Sequence, residues 1–171
     1  MEQKFARETA NIMTELVLPN DTNTLGNLMG GRLMHWMDIA AAISAMRHCN
    51  RPVVTASVDN VSFARPIKLG NILSIETKVT RSFNSSMEVY LKVWGEDLHA
   101  KNRYLSNEAY LTFVALNADG TPCKVPELVP ETEEEKEKFA GALRRRQLRL
   151  ILGGKMKVDD AVELKALFFK D

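Results

Sequence analysis

The chain has 171 residues, 45% of them hydrophobic, enough for one globular domain with a real core and a tail. Lys plus Arg number 23 and Asp plus Glu 22, a formal net charge of +1, which argues against a general nucleic-acid binder. Cys49 and Cys123 lack metal-ligand spacing, the first residues lack the apolar core of a signal peptide, and no apolar run reaches bilayer length. The expectation is a soluble, cytoplasmic protein with reduced thiols, no metal, and neither nucleic acid nor membrane as partner.

Residues 9–18 read as a first strand, closed by Pro19. A polar, glycine-punctuated loop follows and delivers the chain to Gly30-Gly31. A helix is expected from there to about Met46, ended by the stretch before Pro52, which biases Arg51 away from helical geometry. Four strand signals come next. In 53–64 the apolar parity switches at Asp59-Asn60, which predicts a bulge or bend there. Strand 72–81 alternates cleanly, with Leu73, Ile75, Thr77 and Val79 on one face. Asn84-Ser85-Ser86 is a hairpin signal before strand 87–95, and strand 104–116 follows a looser connection. The proline-bearing stretch 121–130 reads as extended surface chain.

A second helix is expected to open on Thr132-Glu133-Glu134-Glu135, which fits a capping box, and to close at Gly153-Gly154. Acids crowd its first turn and Arg144 to Arg149 its last turns, both favoured by the helix dipole. Residues 155–171 read as a short amphipathic tail. The fold class is therefore α+β, an antiparallel sheet wrapped around a long central helix, plus a C-terminal helix. The sheet-and-helix domain is placed at 1–130 and a helical extension at 131–171, with no internal repeat.

One residue carries the chemistry. Asp38 is the sole carboxylate between Asp21 and Asp59 and lies within the apolar run Leu33-Met34-His35-Trp36-Met37-Asp38-Ile39-Ala40. A helix apolar all round is normally enclosed, and an ionised carboxylate on it must be paired, hydrogen-bonded or held for a reaction. Gly30 and Gly31 place free N–H groups at the positive end of that helix, where they could cradle an oxyanion, although Gly-Gly also permits close packing.

These residues resemble the hot-dog-fold acyl-CoA thioesterases, notably the brain-type cytosolic acyl-CoA hydrolases and their short bacterial relatives. The resemblance rests on Leu18-Pro19-Asn20-Asp21-Thr22-Asn23, Gly26-Asn27-Leu28-Met29-Gly30-Gly31, Leu33 to Asp38, Val53 to Asp59, Phe63, and Val125-Pro126-Glu127-Leu128-Val129-Pro130, in uninterrupted order. It implies a single hot-dog domain and hydrolysis of acyl-CoA to free CoA and a carboxylic acid, with no cofactor. It implies Asn23 in the pre-helix loop positioning water or carbonyl, Asp38 as general base or nucleophile, and Thr55 as the hydroxyl on the next strand. With no second repeat, it implies a homodimer or a larger assembly of dimers, such as a trimer of dimers. Arg65, Lys68, Arg81 and the turn Asn84-Ser85-Ser86 lie on segments flanking the expected seam and are candidates for the CoA phosphates. A hydratase of the same fold and a non-catalytic acyl-CoA sensor remain the alternatives.

Overall fold

The computed structural model describes residues 3–59 and 61–168. The chain divides into two compact units, Met1–Val129 and Pro130–Asp171.

In the first unit, β1 (Gln3–Phe5) leads through a 3-10 turn (Ala6–Thr9) to β2 (Asn11–Leu16), and a second 3-10 turn (Pro19–Asp21) opens the loop before α1 (Gly30–Cys49). Then follow β3 (Val53–Asp59), β4 (Ile72–Ser82), β5 (Ser86–Asp97), β6 (Asn102–Ala115) and β7 (Glu127–Val129). The main sheet is antiparallel, in the order β2-β4-β5-β6-β3. β3 therefore does not join the meander of its sequence neighbours. It lies beyond β6 at the far edge, and residues 61–71 belong to the crossing back to β4. β1 and β7 pair in parallel as a separate ribbon, which the sequence reading missed because each is three residues long.

α1 lies on the sheet by a stripe with helical spacing: Leu33, Trp36, Met37, Ala40, Ala41, Ser44, Ala45 and His48 are buried. The alanines let the sheet approach closely, and Leu73, Ile75, Val79, Met87, Val89, Leu91 and Val93 meet the helix from β4 and β5. Each such side chain contributes roughly 1.5–3 kcal/mol by leaving water. The buried hydroxyls of Ser44 and Thr77 satisfy each other at 2.6 Å, and Thr77 also donates to the Ala40 carbonyl.

Three expectations need correction. The helix is not enclosed on all sides: Met34, Ile39 and Met46 are 38–42% exposed, because one sheet covers only one side of it. It runs past Met46 to Cys49 and stops where Asn50 adopts a left-handed backbone (φ 51°), its N–H capping the Met46 carbonyl, ahead of any effect of Pro52. β3 ends at Asp59, and its bulge lies at Ala56, where the register with β6 skips from Thr55↔Phe113 to Ser57↔Thr112. Asn60, part of the expected bend, lies outside the described residues.

In the second unit, α2 (Glu133–Leu152) begins as its sequence requires. Thr132 Oγ1 accepts from Glu135 N at 3.2 Å while Glu135 Oε2 accepts from the Thr132 and Glu131 amides. A 3-10 turn (Val158–Asp160) and α3 (Val162–Lys165) fold back on α2, fastened by the Leu164 amide donating to Gln147 Oε1 at 2.8 Å. Among the described residues, no helix is long and apolar enough to cross a membrane.

Candidate active site

The loop before α1 is built by its own polar groups. Asp21 is buried: its Oδ2 accepts from the Leu18 amide at 3.0 Å, its Oδ1 pairs with Arg32 Nε at 2.9 Å, and its carbonyl accepts from Met29 N. Loop and helix start are thereby locked together. Within the loop, Gly26 has φ 71°, a conformation glycine adopts without strain, and donates to the Asn23 carbonyl. Asn23 Oδ1 accepts from the Leu25 and Asn27 amides at 2.9 and 3.2 Å. With that oxygen committed to the turn, the exposed Asn23 side chain has its NH2 group left to offer.

α1 starts at Gly30 without a side-chain cap, and its first internal bond runs from Leu33 N to the Met29 carbonyl. The Gly30, Gly31 and Arg32 amides therefore have no carbonyl one turn back. The two glycines differ. Gly31 borders open space, whereas a Cβ on Gly30 would meet the Phe63 ring at 3.3 Å. Gly30 is thus in close contact with Phe63, and both amides sit at the positive end of a 20-residue helix.

Two turns into the helix, Asp38 is half-buried at the margin of the uncovered face. Thr55 on β3 donates its hydroxyl to Asp38 Oδ1 at 2.6 Å. This hydrogen bond leaves Oδ2 available to accept from another group. His35 is exposed on the same helix, His48 is buried with Nε2 on the Pro126 carbonyl, and His99 lies in a surface turn.

The six residues expected at CoA phosphates are not brought together within one protomer. The Arg65 carbonyl accepts from Ser106, its guanidinium lies over the Tyr104 ring, and Lys68 pairs across to Asn27 beside the Asn23 loop. Arg81 lies over Phe83 near the other end of β4, next to the Asn84-Ser85-Ser86 turn, whose carbonyls accept from Val125, Ala115 and Phe83. β4, 11 residues long, runs between the two groups, which therefore lie toward opposite ends of that strand. Sequence reasoning also missed the Asp21–Arg32 brace. A carboxylate two residues after a proline, ahead of an arginine in the first turn of a helix, was the available signal. Among the described residues, no cluster of three or more His, Cys, Asp or Glu is placed to hold a metal ion.

The Thioesterase superfamily matches residues 25–100. Over 134 residues the chain is 47% identical to a Bacillus subtilis protein named uncharacterized acyl-CoA thioester hydrolase YkhA, covering 78% of each. It is 40% identical over 129 residues to the cytosolic acyl coenzyme A thioester hydrolase of Rattus norvegicus, covering 74% of this chain and 34% of that longer one. Among solved structures, an apo-hexameric acyl-CoA thioesterase superposes with a TM-score of 0.86 at 39% identity, over 90% of this chain and 98% of that one. A Staphylococcus aureus acyl-CoA hydrolase, solved with butyryl coenzyme A, coenzyme A and coenzyme A disulfide, gives 0.82 at 38%, over 90% and 95%. The chain thus belongs to the thioesterase superfamily, as a hot-dog acyl-CoA hydrolase. Alanine variants of the Staphylococcus enzyme have also been solved, at an asparagine, an aspartate and a threonine. Those positions are fifteen and seventeen residues apart, as 23, 38 and 55 are here.

Proposed function

We propose that the protein hydrolyses acyl-CoA by direct attack of water, with Asp38 as general base. The observation that carries this reading is the Thr55–Asp38 hydrogen bond, which orients one carboxylate oxygen and leaves the other for water. As the water oxygen bonds to the carbonyl carbon, Asp38 takes its proton. The negative charge that develops on the carbonyl oxygen is met by the Gly30 and Gly31 amides and the helix dipole. The Asn23 amide group donates to the water or to the carbonyl. Collapse of the tetrahedral intermediate breaks the carbon–sulfur bond, expels the CoA thiolate, and returns the proton to it through Asp38. No cofactor is required. The matching separation of asparagine, aspartate and threonine in the Staphylococcus enzyme supports this assignment.

The working unit is a dimer formed along β3, which has an unpaired ladder edge among the described residues and exposed Val54 and Val58, beside the uncovered Met34 and Ile39 of α1. Asn23, Gly30 and Gly31 of one protomer meet Asp38 of the other in one site, and Arg65 and Lys68 of one copy join Arg81 and the 84–86 turn of another around CoA. Dimers assemble further as trimers of dimers, in the cytoplasm. The test is thiol release from acetyl- through palmitoyl-CoA by wild type and Asp38→Ala. Release abolished in the variant supports the reading. Undiminished release by Asp38→Ala, or loss of enoyl-CoA absorbance without thiol release, overturns it.

A further inference from the structure

The segment crossing from β3 to β4 presents one aromatic ring to the helix start. A Cβ built on Gly30 would lie 3.3 Å from Phe63 Cζ and 3.6 and 3.7 Å from its two Cε atoms, so the ring tip rests close against the glycine. Phe63 is 53% exposed, so it offers an apolar surface beside the helix start. The segment that carries it is held by side chains of β6. Tyr104 donates to the Pro66 carbonyl at 2.9 Å, Ser106 to the Arg65 carbonyl at 2.7 Å, and Asn107 Nδ2 to the Ser62 carbonyl. Ser106 and Asn107 are buried. On its other side the same segment supports the Asn23 loop, with Leu28 N donating to the Ile67 carbonyl and Leu69 N to the Gly26 carbonyl. Phe63 is therefore fixed relative to both Gly30 and the Asn23 loop.

We propose that Phe63 is a specificity-determining wall, packed against the first methylenes of the acyl group, that makes the enzyme favour butyryl-CoA over acetyl-CoA. The proposal rests on the Gly30 and Gly31 amides receiving the carbonyl oxygen. A carbonyl held there lies within van der Waals reach of a ring that touches Gly30. Of the two substituents on its carbon, the sulfur leads after two methylenes to a pantetheine amide, which needs hydrogen-bond partners the ring does not supply. The acyl methylenes need none and gain by leaving water.

The experiment is thiol release from acetyl- and butyryl-CoA by wild type, Phe63→Ala, Phe63→Leu, Phe63→Gln and Asp38→Ala, with melting curves for each. One methylene in an apolar pocket changes kcat/KM by roughly 10–200-fold, so Phe63→Ala should lower the butyryl-to-acetyl ratio at least about tenfold. Phe63→Leu, which keeps an apolar wall, should retain the ratio, and Phe63→Gln, of comparable size, should lose it. Folded Ala and Gln variants with an unchanged ratio overturn the proposal, whatever their absolute rates. Activity surviving in Asp38→Ala would instead sink the catalytic reading, so the two failures are distinguishable.

Discussion

Thr55 and Asp38, seventeen residues apart, are joined by a 2.6 Å hydrogen bond from an edge strand to the central helix. The bulge at Ala56 belongs to this arrangement. Before it, Val53 and Thr55 lie opposite the core residues Ala115 and Phe113, and after it Val58 lies opposite Leu111. Bulges commonly re-aim side chains beside reaction sites, and here Thr55 is the last residue before the shift. A hydrogen bond to a charged group contributes about 1.5–3 kcal/mol. Thr55→Ala should therefore lower kcat roughly 10–100-fold with KM little changed, and Thr55→Ser should restore most of it. Steady-state thiol release reads both constants.

Asn23 has two separable duties. Its oxygen holds the loop and its NH2 group is left to donate. Asn23→Asp keeps the acceptor and removes the donor, so it should melt near wild type yet lose most of its rate. Asn23→Ala should lose the rate and about 1 kcal/mol of stability as well. Equal melting temperatures for the two variants would contradict the loop role.

Stability should fall at alkaline pH. Burial pushes the Cys49 thiol above its ordinary 9.0, with nearby Cys123 adding to the push, and burial likewise raises the Tyr104 hydroxyl above 10.0. In the unfolded chain both groups ionise at their ordinary values, so unfolding releases protons once pH exceeds them. The contribution is whole below pH 9.0, declines as pH rises through the folded value of Cys49, and declines further in the tyrosine range. Melting temperature measured from pH 7 to 11 should show this, and Cys49→Ala should flatten the first part of the fall. At neutral pH the half-buried Cys123 should react with a thiol reagent before buried Cys49 does.

Assembly should depend on the free edge of the sheet. Val54→Lys places a charge on an exposed apolar strand that, among the described residues, has only β6 as its ladder partner. The variant should sediment as a smaller species and lose activity together with assembly. Full activity in a monomer would contradict a site shared between protomers.

The second unit offers a local stability test. Thr132→Ala removes the acceptor for the Glu135 amide and should cost about 1 kcal/mol, read as an earlier melt.

How much was legible in the sequence follows from the range of each signal. The α2 cap, the alternation of β4 and the start of α1 at Gly30 are local, written within a few residues, and the structure has them where the sequence puts them. The position of β3 beyond β6 was not legible, because alternation says which face is buried and not which strand lies alongside. The bulge was misplaced for the same reason. The parity change at Asp59 is visible in sequence, but the register skip at Ala56 is a property of two strands. Asp38 stood out as a lone carboxylate in an apolar run. Its link to Thr55, the Asp21–Arg32 brace and the contact of Phe63 with Gly30 are products of the fold. The proposed CoA set was split because β4 spans the whole sheet between its two halves.

The most direct test of the account is Asp38→Asn, which keeps the shape and the acceptor facing Thr55 while removing the charge and the basicity. Thiol release from butyryl-CoA should fall by about a thousandfold or more, as expected for loss of a general base, with coenzyme A binding and melting temperature retained. An Asn variant that turns over within a few-fold of wild type would contradict Asp38 as the base.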